Sequence, residues 1–129
     1  MELKGLAADR VSLMVSRHDL GMMGNALNEV CSGLRVRDFT TKMGAPEDEV
    51  HQILLDIIPV YRQMERAGSP HARVRFSVWE VRAIIGALKE VRREIDAIEF
   101  FTRMGAELSE VDEILNELTA IYRKMKQQQ

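Results

Sequence analysis

The sequence predicts a mainly α-helical protein in which one strand, helix, short helix, helix unit occurs twice. Two observations support this prediction: an ungapped internal repeat, and apolar residues at helical spacing within each copy. When residues 16–64 are placed on residues 77–125, a shift of 61 positions, 17 of the 49 pairs are identical. We therefore expect a tandem duplication within a single domain of 129 residues, with unit one at 10–64, a linker at 65–71 and unit two at 72–126.

Each unit opens with a short stretch in which apolar and polar residues alternate. The apolar positions are Val11, Leu13 and Val15 in the first copy, and Val74 and Phe76 in the second. This period of two is typical of half-buried strands. Because duplicated units usually pack about a pseudo-twofold axis, we expect the two strands to pair as a two-stranded antiparallel ribbon on a helical bundle.

A serine followed three positions later by an acidic residue predicts where the first long helix of each unit begins. Ser16 and Asp19 form this pattern in unit one, and Ser77 and Glu80 form it in unit two. Each helix then carries one apolar stripe that predicts a core-facing side. The stripe residues are Leu20, Met23, Leu27, Val30 and Leu34 in unit one, and Val81, Ile84, Leu88, Val91 and Ile95 in unit two.

The two units differ at the end of this helix. Gly33 predicts a break near Leu34, followed by a short helix that ends at Gly44 in the left-handed conformation. Glu94 stands where unit one has Gly33, so the helix of unit two is free to run on until Gly105, which matches Gly44.

The third helix of unit one has Pro46 at its predicted first turn. Its apolar stripe recurs in unit two, so we expect a third core-facing helix in both copies. The stripe residues are Val50, Ile53, Leu54, Ile57, Tyr61 and Met64, matched by Val111, Ile114, Leu115, Leu118, Tyr122 and Met125.

The charge balance and the apolar segments limit the function classes. With 18 basic and 20 acidic residues, the net charge is −2, which lacks the strongly basic balance of a general nucleic-acid binder. No apolar run approaches the length of a membrane span, and residues 1–10 contain no leader-like apolar segment. Cys31 is the only cysteine. We therefore expect a cytoplasmic protein without membrane association.

The alternative function is a nucleic-acid-binding regulator of the helix-turn-helix type. Residues 39–45, followed by Val50 and Ile53, have the spacing of that motif. The would-be recognition helix at 46–58 carries four acidic residues and no basic one, however, and these charges would repel the phosphates of a duplex.

No catalytic, metal-binding or cofactor-binding residues can be assigned, and we expect a protein that is not an enzyme. Cys31 and His18 lie 13 positions apart on one predicted helix, a span of about 20 Å that excludes a direct nucleophile and base pair. Asp48 and His51 share one helical face as a metal-binding pair would, but the second unit has no histidine at the matching position.

The positions at which the units disagree indicate a partner-binding surface. Leu55, Ile58 and Pro59 make the third helix of unit one apolar over more than half its circumference, and Pro59 should kink it. Trp79, at the start of unit two, is a second candidate anchor. These residues predict a non-catalytic adaptor, inhibitor or regulator that binds an unidentified protein or self-associates. Alternatively, residues 3–8 fold over the apolar surface.

Four arginines around the linker, Arg62, Arg66, Arg73 and Arg75, form a second candidate site. They would bind a phosphate or another anion if they converge. In the alternative, they pair with acidic residues of the neighbouring helices.

Two segments of unit one resemble a pattern found in a family of small uncharacterised bacterial helical proteins. They are Asn25-Ala26-Leu27-Asn28-Glu29-Val30, and Asp38-Phe39-x-Thr41-x-Met43-Gly44 with Glu49-Val50. Unit two keeps much of both, at Ala87-Leu88-x-Glu90-Val91 and Glu99-Phe100-x-Thr102-Arg103-Met104-Gly105. The resemblance implies a helical fold and carries no activity.

Overall fold

A computed structural model describes residues 1–129 and places 68% of them in helices. The strands are β1 (Glu2–Leu6), β2 (Arg10–Ser16) and β3 (His71–Ser77). The helices are α1 (Arg17–Asn28), α2 (Phe39–Met43), α3 (Glu47–Ala67), α4 (Val78–Glu94), α5 (Ala97–Met104) and α6 (Leu108–Gln127), and a π-helical turn, Glu29–Gly33, extends α1. The predicted mainly helical class is confirmed, and no helix is both long and apolar enough to cross a membrane.

The sheet has three antiparallel strands in the order β1-β2-β3, so β2 lies in the centre. The predicted pairing of β2 with β3 is confirmed and runs from Arg10 opposite Ser77 to Ser16 opposite His71. The prediction of only two strands is wrong, because β1 pairs with the other edge of β2. Residues 2–6 contain no alternating apolar pattern, so only the open edge of β2 and the contacts of β1 beyond the strand define this element.

Local signals set the ends of the long helices as predicted. The Ser16 side chain accepts a hydrogen bond from the Asp19 backbone N–H at 2.9 Å, and Ser77 and Glu80 form a reciprocal capping box. Gly44 and Gly105 adopt left-handed conformations with φ of 79° and 67°. Pro46 lies one residue earlier than predicted, since it caps α3 and Glu47 begins the helix.

The helices break at the same place in both units. After Gly33, Leu34 is extended, as the glycine predicts. The expectation that the helix of unit two runs on is wrong, because α4 ends at Glu94 and α5 begins only at Ala97. Between them Ile95 is extended and buried in the core, and the burial of its side chain outweighs the helix propensity of the surrounding residues.

The core lies between the sheet and the helices, with α1 packed on α3, α4 packed on α6, and α1 beside α4. The apolar residues of β2 and β3 and most stripe residues of the long helices are buried in one cluster. Several ion pairs cross between the halves of the molecule, and two of them join the short helices to the opposite half. Lys42 of α2 bonds to Glu90 of α4 at 3.4 Å, and Arg103 of α5 bonds to Glu29 beside α1. Glu90 is the one charged residue that is buried.

Candidate functional site

The predicted apolar surface on α3 is open to solvent but divided. Leu55 is 45% exposed, Pro59 is also exposed, and Trp79 at the start of α4 is 39% exposed. Ile58 is half-buried and lines a furrow between α3 and α1. The alternative that residues 3–8 cover this surface is wrong, because the N-terminal segment pairs with β2 instead.

The four arginines of the predicted anion patch do not converge. Arg62 borders the furrow between α3 and α1, whereas Arg73 and Arg75 lie on β3 at the opposite side of α3. Arg66 donates to Gln63 at 3.0 Å. None of the four forms an ion pair within the chain, so the alternative of pairing with acidic helices is not observed either.

Cys31 and His51 line one shallow depression on the surface, whereas His18 lies against another helix. His18 is 2.7 Å from Glu110 of α6. The hydrogen bond from the Glu107 backbone N–H, and to a smaller extent the contact with His18, lower the pKa of the Glu110 carboxyl. Cys31 is half-buried beside Glu47. Its burial, and to a smaller extent the negative charge of Glu47, raise the pKa of the Cys31 thiol to about 11. A thiol with this pKa is protonated and a poor nucleophile at neutral pH. No three histidine, cysteine or carboxylate side chains come close enough to share a metal ion.

A second apolar surface, which the sequence did not predict, lies around α5. Ile98 is 92% exposed, and Phe101 and Leu108 are also exposed. The signal was present in the comparison of the two units, because unit one has the polar residues Arg37, Thr40 and Glu47 at these positions.

The sheet ends at β3, and two backbone hydrogen bonds show which of its residues pair with β2. At one end of the ladder, the Val78 N–H donates to the Asp9 carbonyl at 2.9 Å. At the other end, the Arg17 N–H donates to the Pro70 carbonyl at 3.1 Å. Because hydrogen-bonded pairs alternate along an antiparallel ladder, the β3 residues that bond to β2 are Ala72, Val74 and Phe76.

Arg73 and Arg75 lie between those residues, so their backbone N–H and C=O groups point away from β2. No further strand lies on that side of β3. The strand therefore presents two donors and two acceptors along an open edge, which is the arrangement that a strand from another polypeptide can pair with.

A groove runs along this open edge, between β3 and α3. Its first part has a volume of about 400 Å³ and a mostly apolar floor that includes Ile53, Ile57 and Phe76. Its continuation, of about 390 Å³, shares Val60 with the first part and reaches Ala72. We define the β3–α3 groove as these two depressions together. An extended chain that paired with β3 would place alternate side chains on the apolar floor.

Two carboxylates stand in the first part of the β3–α3 groove. Asp56 belongs to α3 and Glu80 to the first turn of α4. Asp56 accepts a hydrogen bond from the Gln52 amide at 2.9 Å, and Glu80 accepts one from the Ser77 backbone N–H at 2.8 Å. Neither forms an ion pair within the chain, although Arg73 and Arg75 line the same depression, so the groove combines an open strand edge, an apolar floor and two unpaired carboxylates.

Three residues that the sequence predicts in candidate sites, Pro59, Arg73 and Arg75, border the β3–α3 groove. The groove itself is not predictable from the sequence, because an edge strand is recognised only when all pairings of the sheet are known. Comparisons of the chain with protein-family models, with curated proteins and with solved structures find no match. The resemblance to small bacterial helical proteins therefore stays a prediction.

Proposed function

We propose that the protein is a non-catalytic protein-binding module that receives an extended segment of a partner along β3. The observation that carries this proposal is the open edge of β3 beside the β3–α3 groove. Strand addition of this kind uses backbone hydrogen bonds for affinity and side-chain pockets for specificity. Both are available, at Arg73 and Arg75 and on the apolar floor.

Charge favours a different polypeptide over a second copy of the chain. If β3 paired antiparallel with β3 of another copy, any register with full overlap would place arginines at 73 and 75 opposite or next to arginines. Like charges directly across a strand pair are unfavourable. The same arginines protect the edge from indiscriminate pairing, which charged residues commonly do on edge strands.

The fold also supports the proposal that the two halves are copies packed about a pseudo-twofold axis. The ion pair from Lys42 to Glu90 becomes the pair from Arg103 to Glu29 when each position is moved by 61 and the units are exchanged. Helix contacts follow the same rule, since α2 packs on α4 and α5 packs on α1. Reciprocal contacts of this kind are expected when two equivalent units form one interface.

The other predicted partner contacts are compatible with strand addition at β3. Leu55 and Trp79 are accessible to a partner that extends beyond the groove. For the alternative, nucleic-acid binding, the first turn of α3 carries Glu47, Asp48 and Glu49, and these charges disfavour contact with phosphates. We also propose a cytoplasmic location, which agrees with a single, unpaired Cys31.

Peptide selection tests the proposed function. Two phage libraries of short random peptides, one with free amino termini and one with the peptides preceded by a fixed linker, would be selected on the intact protein. We expect a shared pattern of alternating apolar residues whose members bind the wild type and Arg75→Ala but not Arg75→Pro. Proline removes the outward N–H of residue 75, and edge strands tolerate it there.

Circular dichroism and thermal unfolding of both Arg75 variants provide the control for folding. If no peptide is enriched in either library, or if the enriched peptides bind Arg75→Pro as well as the wild type, strand addition at β3 is wrong.

A further inference from the structure

The open edge of β3 has a counterpart in the same molecule that is already occupied. β1 pairs antiparallel with the other edge of β2, from Glu2 opposite Met14 to Leu6 opposite Val11, with an irregularity after Leu3. The chain thus carries, within its own sheet, an example of how an extended segment covers a strand edge of this fold.

The amino terminus of β1 is held by two carboxylates. The Met1 ammonium lies 3.5 Å from Asp19 of α1 and 3.4 Å from Glu117 of α6. Partial burial acts to lower the pKa of this ammonium, but attraction to the two carboxylates outweighs it and the pKa is raised. The pair therefore favours the charged form of the terminal amine.

Helix α6 and the residues after it contact the chain at both ends of β1. Glu117 meets Met1 at the start of the strand, and the Gln129 side chain donates to the Ala8 carbonyl at 3.2 Å beyond its end. The occupied site is therefore bounded by a strand, β2, and by a long helix, α6, with an acidic pair at the end where the segment begins.

The shift of 61 positions carries this occupied site onto the β3–α3 groove. Asp19 becomes Glu80 and Glu117 becomes Asp56, the two carboxylates of the groove. The β2 residues whose backbone groups face β1, Ser12 and Met14, become Arg73 and Arg75. The groove therefore repeats the strand edge, the flanking helix and the acidic pair, while the added strand and its ammonium are missing.

We propose that the β3–α3 groove binds the free amino-terminal segment of a partner polypeptide, which adds to β3 as a fourth antiparallel strand with its α-ammonium between Asp56 and Glu80. This inference rests on the proposed function and deepens it, because it states which kind of segment binds and in which direction. The acidic pair supports it, since neither Asp56 nor Glu80 forms an ion pair within the chain, and the two cations that line the groove, Arg73 and Arg75, belong to the strand that the ligand would pair with.

The register of β1 transfers to the proposed ligand. Ligand residue 2 lies opposite Arg75 and residue 5 opposite Arg73, on the outer face of the sheet, so acidic side chains are favoured at both positions. Residues 3 and 6 lie on the face of the sheet that carries the core, because in β1 Leu3 is opposite Leu13 and Leu6 is opposite Val11, so apolar side chains are favoured there. In β1 itself Leu6 packs against the core and Leu3 is 38% exposed. The first residues of the chain, Met-Glu-Leu-Lys-Gly-Leu, fit this description at positions 2, 3 and 6.

Peptide binding to the full-length protein tests the inference. The probe is a synthetic peptide with the sequence of residues 1–7, labelled at its carboxyl end, and its binding is followed by fluorescence anisotropy. We expect the peptide with a free amine to bind about tenfold more tightly than its N-acetylated form. The double variant Asp56→Asn, Glu80→Gln should bind both forms equally weakly, and Arg75→Pro should lose binding of both.

Matched controls separate the acidic pair from general charge effects. Glutamine at position 80 still accepts the bond from the Ser77 N–H, so the cap of α4 is kept. Asp48→Asn removes an exposed carboxylate of α3 that does not line the β3–α3 groove, and it should leave the affinity unchanged.

The outcomes distinguish this inference from the proposed function. If both peptide forms bind equally and Arg75→Pro abolishes both, strand addition stands and the role of the amine is wrong. If Arg75→Pro retains binding, the peptide has displaced β1 or bound elsewhere, and the inference is overturned. If neither form binds, the inference is also overturned, and the library selection alone decides the proposed function.

Discussion

Replacing Leu88 with alanine is expected to lower the free energy of unfolding by about 2–5 kcal/mol. Leu88 lies on the core-facing stripe of α4 and is fully buried, so truncation removes apolar contacts and leaves a cavity. Leu27 on α1 occupies the matching position and is also fully buried. If the two units are structural copies, Leu27→Ala should lower the stability by a similar amount.

Urea denaturation followed by circular dichroism would measure both losses. Leu55→Ala is the control, because Leu55 is exposed on the outer face of α3 and its truncation should change the stability by less than about 0.5 kcal/mol. A small effect of Leu88→Ala, or an effect of Leu55→Ala as large as that of the core variants, would contradict the described core.

The second large effect is expected at Gly86, where alanine should destabilise the protein although it favours helices. A Cβ atom at Gly86 would lie 2.6 Å from the Lys42 carbonyl oxygen and 3.0 Å from the Met43 sulfur. Since the nearer atom is backbone, α2 would have to move away from α4. We expect the free energy of unfolding to fall by about 1–3 kcal/mol, although alanine has the higher helix propensity.

Gly24→Ala is the matched control for this substitution. Gly24 also lies within a helix, α1, but a Cβ atom there would be 3.7 Å from Ile57 and 3.8 Å from Leu54, which are ordinary contacts. This variant should be stabilised by about 0.5–1 kcal/mol. Thermal and urea unfolding would measure the stability of both variants. If Gly86→Ala proved more stable than Gly24→Ala, the prediction would be wrong.

The features that the sequence predicted correctly are those encoded by neighbouring residues. Ser16 with Asp19 and Ser77 with Glu80 define helix starts within four residues, and the alternation from Val11 to Val15 defines a strand within five. The apolar stripes likewise repeat within one helix. Such signals depend on local geometry, which tertiary packing did not override here.

The features that the sequence did not reveal depend on distant parts of the chain. β1 forms because β2 offers an open edge and because Asp19 and Glu117 hold its ammonium, and no pattern within residues 2–6 encodes these partners. The β3–α3 groove exists because β1 pairs with the other edge of the sheet and leaves that of β3 free. Ile95 ended α4 because burial of one side chain outweighed local propensity.

Amide hydrogen exchange, measured by NMR on the intact protein with the tightest library-selected peptide, tests the central claim most directly. The backbone N–H groups of Arg73 and Arg75 face away from β2 and should exchange at least about tenfold more slowly when the peptide is bound. The N–H groups of Val74 and Phe76 already bond to β2 and serve as the internal reference. If the peptide binds while the exchange of Arg73 and Arg75 stays unchanged, the partner does not add to β3 and the proposed function is wrong.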